Sequence, residues 1–150
     1  MNYSLFNRHV ADNKLWGSFL ILINNPNHNN NNNHTILLVD DENEILNLFS
    51  DYLQKFGYET IPFNNPVDAL NHLNTSNNSN CSLVISDYKM TPIDGCDLAK
   101  KIAEVNNSIT IIIITAANDV GNNPLQLQVY FKPLIMSKLI EIVKKNIPSV

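Results

Sequence analysis

Short apolar runs alternate with amphipathic stretches from residue 35 onward. Five runs have the length and composition of strands, and they cover residues 35–39, 58–63, 83–85, 110–115 and 128–131. Four stretches carry apolar residues at helical spacing, and they cover residues 43–56, a segment that starts at Pro66, 94–105 and 134–147. Because right-handed crossovers return each strand parallel to the last, the alternation predicts a doubly wound α/β sheet of five parallel strands.

Individual residues sharpen this prediction. Residues 110–115 are wholly apolar and β-branched between two threonines, which is typical of the middle of a parallel sheet. Pro62 indicates an edge strand, since proline cannot donate a hydrogen bond to a central ladder. Asn65 before Pro66 predicts a capped helix start, and Gly57 predicts the end of the preceding helix.

The first 34 residues differ in composition from the rest of the chain. Eight of the 26 asparagines lie between Asn24 and Asn33, and such a polar run cannot bury itself. We therefore predict a poorly ordered N-terminal extension with an Asn-rich linker over residues 1–34, and one folded domain over residues 35–150. The apolar segment 15–23 is too short to span a membrane, which takes about 20 residues.

Charge and cysteine usage narrow the class of protein. A net charge of −4 argues against nucleic-acid binding, which requires a clustered basic surface. Cys81, predicted on the loop before the third strand, and Cys96, predicted on a helix, lack the spacing of metal ligands or of a redox motif. Reduced thiols and a cytoplasmic location are expected.

Reactive side chains follow four of the five predicted strands. They are Asp40 and Asp41 after the first strand, Asp87 after the third, Thr115 at the end of the fourth and Lys132 after the fifth. Ligands of such sheets bind outside the carboxyl ends of the strands, so these groups are expected to converge. If the strand order is 2-1-3-4-5, the three carboxylates are neighbours and need a cation. Oxygen ligands without nearby cysteine or histidine favour Mg²⁺.

This set of groups suits phosphoryl transfer to a carboxylate. Asp87 is the predicted nucleophile because it stands alone at the end of a central strand, whereas Asp40 and Asp41 are better placed to hold the metal. Thr115 is expected to donate a hydrogen bond to one phosphoryl oxygen, and Lys132 to pair with another.

Five ordered motifs resemble the receiver domain of two-component response regulators. They are Val39–Glu42 (VDDE), Asp87–Met90 (DYKM), Gly95, Ile114–Ala116 (ITA) and Phe131–Pro133 (FKP). The resemblance covers residues 35–150. It implies a flavodoxin-like fold with strand order 2-1-3-4-5, and phosphorylation of Asp87 by a histidine kinase or a phosphotransfer protein.

The resemblance also implies a set of Mg²⁺ ligands. By matching position, Asp41 and Asp87 ligate the ion directly, Asp40 through water and Lys89 through its backbone carbonyl. Phosphorylation and dephosphorylation are then self-catalysed, and the protein is not an enzyme in any further sense. Since the chain stops after the last predicted helix, we expect no attached output domain and a separate downstream partner protein.

Three features depart from the usual receiver pattern. Receiver domains place proline directly after the position of Met90, but Thr91 stands there. Only sixteen residues separate the fourth predicted strand from Lys132, so the fourth helix is expected to be short or irregular. Val129 holds the position of the family's switch aromatic, and Tyr130 is predicted on the opposite face of the strand.

Two alternatives remain at this point. The first is a receiver-like interaction module that keeps the fold and is never phosphorylated. The second is a phosphatase of the haloacid dehalogenase type, which also uses a strand-end aspartate nucleophile. That class needs a second aspartate two residues after the first, but Asp40 is followed by Glu42 at that spacing, so this alternative is ranked low.

Overall fold

Strands and helices alternate along the chain as the hydrophobic pattern predicts. The computed structural model describes residues 34–75, 80–117, 120, 121, 123 and 125–147. Within these residues the strands are β1 (Thr35–Val39), β2 (Glu59–Phe63), β3 (Cys81–Ser86), β4 (Thr110–Thr115) and β5 (Gln128–Phe131). The helices are α1 (Asn43–Lys55), α2 (Pro66–Thr75), α3 (Gly95–Val105) and α4 (Met136–Asn146). The predicted N-terminal extension, residues 1–34, lies outside the described residues except for His34.

The predicted sheet is confirmed, with one local correction. All neighbouring strands pair in parallel, in the order β2-β1-β3-β4-β5. Pro62 lies on β2 at the edge of the sheet, as predicted. Cys81 was predicted on a loop but is the first residue of β3, where it pairs with Thr35. Its Sγ points to the Leu83 carbonyl at 3.9 Å, so this small side chain packs within the strand.

Helices cover both faces of the sheet, as a doubly wound fold requires. One face packs against α1 and α4 and is formed by Ile36, Leu38, Leu83, Ile85, Ile112 and Ile114. The other face packs against α2 and α3 and is formed by Leu37, Val39, Val84 and Ile111. Successive residues of each strand therefore bury their side chains on opposite faces. In the described part of the chain, no helix has the length and apolar character needed to cross a bilayer.

Side chains and glycine set the helix ends that the sequence predicts. The Val67 amide donates to Asn65 Oδ1 at 2.8 Å, which caps α2. Gly57 adopts a φ of 84° just after α1, a conformation that glycine tolerates best. Asp94 caps α3 by accepting a hydrogen bond from the Asp97 amide at 2.8 Å.

The connection from β4 to β5 contains no helix in its described residues, which are 116, 117, 120, 121, 123 and 125–127. The Asn123 side chain closes its last turn: Nδ2 donates to the Leu127 carbonyl at 3.1 Å, and Oδ1 accepts from the Leu127 amide at 2.9 Å. An amide side chain thus satisfies backbone groups that a helix would otherwise pair. The predicted irregularity of this segment is confirmed for these residues.

The start of α3 lies directly against the loop that follows β3. The Gly95 amide donates to the Tyr88 carbonyl at 2.9 Å. A Cβ at Gly95 would lie 2.3 Å from the Asp87 carbonyl oxygen and 3.0 Å from Ile113 Cδ1. Because the nearest of these atoms belongs to the backbone, it cannot move aside cheaply, and only glycine fits.

We therefore expect Gly95→Ala to lower the free energy of unfolding by about 1–3 kcal/mol through overpacking. This sign is opposite to the gain of roughly 1 kcal/mol that replacing glycine by alanine usually brings within a helix. Urea unfolding followed by circular dichroism measures the change, and Lys101→Ala on the exposed side of α3 serves as the control. A Gly95→Ala variant as stable as the parent would contradict the close contact.

Candidate functional site

Three of the predicted site residues meet at the carboxyl edge of the sheet. Val39 pairs with Ser86 in register, which makes the next residues, Asp40 and Asp87, neighbours. Lys132 Nζ lies 2.8 Å from Asp40 Oδ2 and 3.0 Å from Asp87 Oδ1. Asp40 and Asp87 are only 5% and 8% exposed. One ammonium group therefore bridges two buried carboxylates.

Backbone amides fix the second oxygen of each carboxylate. The Glu42 amide donates to Asp40 Oδ1 at 2.9 Å, and the Lys89 amide donates to Asp87 Oδ2 at 2.7 Å. Each carboxylate thus accepts one hydrogen bond from the backbone and one from Lys132. Both side chains are held in position before any ligand arrives.

Thr115 lies at the end of β4, between β3 and β5, and Lys132 directly follows β5. It is buried, and its carbonyl accepts a hydrogen bond from the Lys132 amide at 2.8 Å. Its Oγ1 accepts from the Ala117 amide at 3.1 Å. Because a hydroxyl that accepts a bond keeps its own proton, Thr115 can still donate to an oxygen of a ligand.

The remaining predicted residues lie at the exposed side of the site. Asp41 is exposed, and so is the side chain of Lys89, which contacts the site through its backbone amide. Glu42, whose side chain the sequence reasoning did not assign to the site, has Oε1 3.8 Å from Lys132 Nζ. The sequence signal that could have identified Glu42 is its position directly after Asp40 and Asp41, where the chain turns into α1.

The donor chemistry suits Mg²⁺, whose set of ligands stays a prediction. Among the described residues, no three histidine, cysteine, aspartate or glutamate side chains are gathered around one point as metal ligands. Asp40 and Asp87 nevertheless share a cation already, and they offer only oxygen atoms. Hard oxygen donors with excess negative charge are what Mg²⁺ prefers, so the residues present fit this ion.

Burial and charge pull the pKa values of the site in opposite directions. Burial raises the pKa of Asp87, Lys132 acts against this, the charge of Asp40 adds to it, and the net shift is upward. Burial lowers the pKa of Lys132, but hydrogen bonds to Asp40 and Asp87 outweigh it, and its pKa is also raised. Two carboxylates stabilise the charged form of Lys132, whereas the charged form of Asp87 is stabilised by one ammonium group that it shares with Asp40.

The raised pKa of Asp87 predicts a stability cost that depends on pH. Above its ordinary pKa of 3.8 the folded state binds more protons than the unfolded state, so stability falls as pH rises towards the folded-state pKa. In metal-free solution, Asp87→Asn is therefore expected to become more stable relative to the parent over this interval, with a constant difference at higher pH. Urea unfolding across the interval measures the effect.

Asp51→Asn, on the exposed side of α1, is the control for the loss of one carboxylate away from the site. A parent protein that stays more stable than Asp87→Asn by the same amount at every pH would contradict the predicted cost.

Two curated relatives match this chain over most of their own length. The response regulator receiver protein CpdR of Brucella abortus is 29% identical over 111 residues, which cover 71% of this chain and 90% of CpdR. Sporulation initiation phosphotransferase F of Bacillus subtilis is 29% identical over 115 residues, which cover 73% of this chain and 90% of that protein.

A solved structure and a family model point to the same family as these relatives. A response regulator receiver domain protein of Clostridium thermocellum has a TM-score of 0.68 at 25% identity, with 75% of this chain and 92% of that chain covered. The strand order and the flavodoxin-like fold implied by the sequence are thereby confirmed. The family model of the response regulator receiver domain matches residues 36–144, and the chain therefore belongs to the response regulator receiver domain family.

Proposed function

We propose that this receiver domain accepts a phosphoryl group on Asp87, in a Mg²⁺-dependent reaction, from a histidine kinase or a phosphotransfer protein. The observation that carries the proposal is the ion pair between Asp87 and Lys132, 3.0 Å apart, beside the buried carboxylate of Asp40. A relative named as a phosphotransferase, 29% identical to this chain, supports transfer within a phosphorelay.

In the proposed step, a carboxylate oxygen of Asp87 attacks the phosphorus of a phosphohistidine. The new oxygen–phosphorus bond forms as the phosphorus–nitrogen bond breaks, and the imidazole leaves with the bonding electron pair. Lys132 pairs with a phosphoryl oxygen, and the Thr115 hydroxyl donates a hydrogen bond to another. Water later attacks the acyl phosphate and releases inorganic phosphate, which regenerates the carboxylate.

Asp40, Asp41 and Asp87, with the backbone carbonyl of Lys89, would hold the Mg²⁺ ion. When bound, the ion supplies positive charge for the phosphoryl oxygens. Lys132 then no longer has to balance Asp40 and Asp87 alone. The backbone amides that bind Asp40 and Asp87 keep both carboxylates oriented while the charge at the site changes.

We infer that the domain passes its signal to a separate downstream protein and catalyses only its own phosphorylation and dephosphorylation. In support, the matched segment spans 90% of the length of both CpdR and sporulation initiation phosphotransferase F. Each of these relatives is therefore little longer than the segment that matches this chain. We place the reaction in the cytoplasm. The free thiols of Cys81 and Cys96 are consistent with a reducing compartment.

Labelling with acetyl phosphate tests the proposal. Incubation with Mg²⁺ should add one phosphoryl group, seen by intact-mass spectrometry, and chelation of the metal should abolish the labelling. Asp87→Ala should remove labelling entirely because the nucleophile is lost. Asp51→Ala, which removes an exposed aspartate of α1, should be labelled like the parent.

Labelling that survives in Asp87→Ala at the parental rate would reject Asp87 as the acceptor. A parent protein that neither acetyl phosphate nor a phosphorylated histidine phosphotransfer domain can label would reject phosphorylation altogether. It would leave the interaction module as the function of this fold.

A further inference from the structure

Glu42 extends the acidic surroundings of Lys132 towards solvent. Its Oε1 lies 3.8 Å from Lys132 Nζ, and its side chain is 67% exposed, whereas that of Lys132 is only 15% exposed. Asp40 and Asp87, the other carboxylates at this ammonium group, are buried. Glu42 therefore contributes a solvent-facing negative charge next to Lys132.

The position of this carboxylate follows from the backbone. The Glu42 amide binds Asp40 Oδ1, and the Glu42 carbonyl accepts from the amides of Ile45 and Leu46 at the start of α1. Both the amide and the carbonyl of Glu42 are therefore hydrogen-bonded, which fixes the position of its Cα beside the site. A substitution confined to the end of the side chain leaves these backbone contacts in place.

Any phosphodonor brings negative charge to Lys132 and Asp87. A carboxylate on the solvent side of Lys132 repels that charge and also competes for the ammonium group. Two unit charges about 4 Å apart in water interact by an energy that corresponds to roughly a fivefold change in a rate or binding constant. The repulsion grows with the charge of the donor, and salt weakens it because the glutamate is exposed.

We propose that Glu42 is a specificity-determining residue that selects phosphodonors by charge and disfavours small, highly charged ones. The inference rests on the proposed phosphorylation of Asp87. Acetyl phosphate, largely a dianion at neutral pH, is penalised more than phosphoramidate, which carries less net charge. In both cases Asp87 forms the bond to phosphorus. Acetate leaves from the first donor, and the amine leaves with a proton as ammonia from the second.

A charge series at this position tests the proposal. Labelling rates with acetyl phosphate and with phosphoramidate are measured at saturating Mg²⁺, determined for each variant, and at low ionic strength. Glu42→Gln should raise the rate constant with acetyl phosphate by about threefold to tenfold, and that with phosphoramidate by less. Glu42→Lys should raise the acetyl phosphate rate further. The gain should shrink as salt is added.

Glu44→Gln is the matched control, since Glu44 is an exposed acid in the first turn of the same helix. It should change both rates by less than about twofold, as expected for a charge farther from the site. The role of Glu42 would be overturned if Glu42→Gln gained equally with both donors, or if its gain did not respond to salt. It would also be overturned if the parent protein is labelled and Glu42→Gln shows no gain in rate. Labelling of the parent protein and of Glu42→Gln by a phosphorylated histidine phosphotransfer domain, but by neither small donor, would also overturn it. A parent protein that neither small donor nor that domain can label would instead reject the proposed function.

Discussion

A single ammonium group balances two buried carboxylates at the edge of the sheet, and the chemistry of the site depends on this shortage of positive charge. Removing carboxylates from water is costly, and one lysine shared between Asp40 and Asp87 offsets only part of that cost. The pKa of Asp87 is raised as a result. Buried titratable groups whose pKa values are shifted by burial and by a specific charge partner cluster at functional sites. An added cation would relieve it.

The backbone, more than the charges, keeps these groups together. Like charges would separate if the chain allowed it, but the pairing of Val39 with Ser86 fixes the distance between the two strand ends. The pairing of Thr115 with Phe131 does the same for the start of the Lys132 loop. These strand ends are anchored by side chains buried on both faces of the sheet. The hydrophobic core therefore maintains an arrangement that electrostatics alone would not form.

The sequence predicted most of this arrangement because one-dimensional patterns determine it. Apolar runs located the strands, and residues that follow parallel strands must share an edge, which placed Asp40, Asp87 and Lys132 together before any coordinates. Side-chain directions could not be predicted in this way. The exposure of Asp41 and the approach of Glu42 to Lys132 depend on how several charges share one cation. Cys81 was predicted on a loop although it begins β3, because the hydrophobic pattern shows no sharp boundary where that strand starts.

The irregular β4–β5 connection places Gly121 beside Tyr88, the residue that follows Asp87. Tyr130 packs against the core on the α1 and α4 side, and its hydroxyl donates to Gln128 Oε1 at 3.1 Å. It is therefore held within β5. The loop, by contrast, passes close to Tyr88, the residue after Asp87: a Cβ on Gly121 would lie 3.4 Å from the Tyr88 hydroxyl, and Gly121 has a φ of 58°. Since Tyr88 adjoins Asp87 in the chain, this loop lies against the residue next to the proposed acceptor, whereas the hydroxyl of Tyr130 bonds within β5.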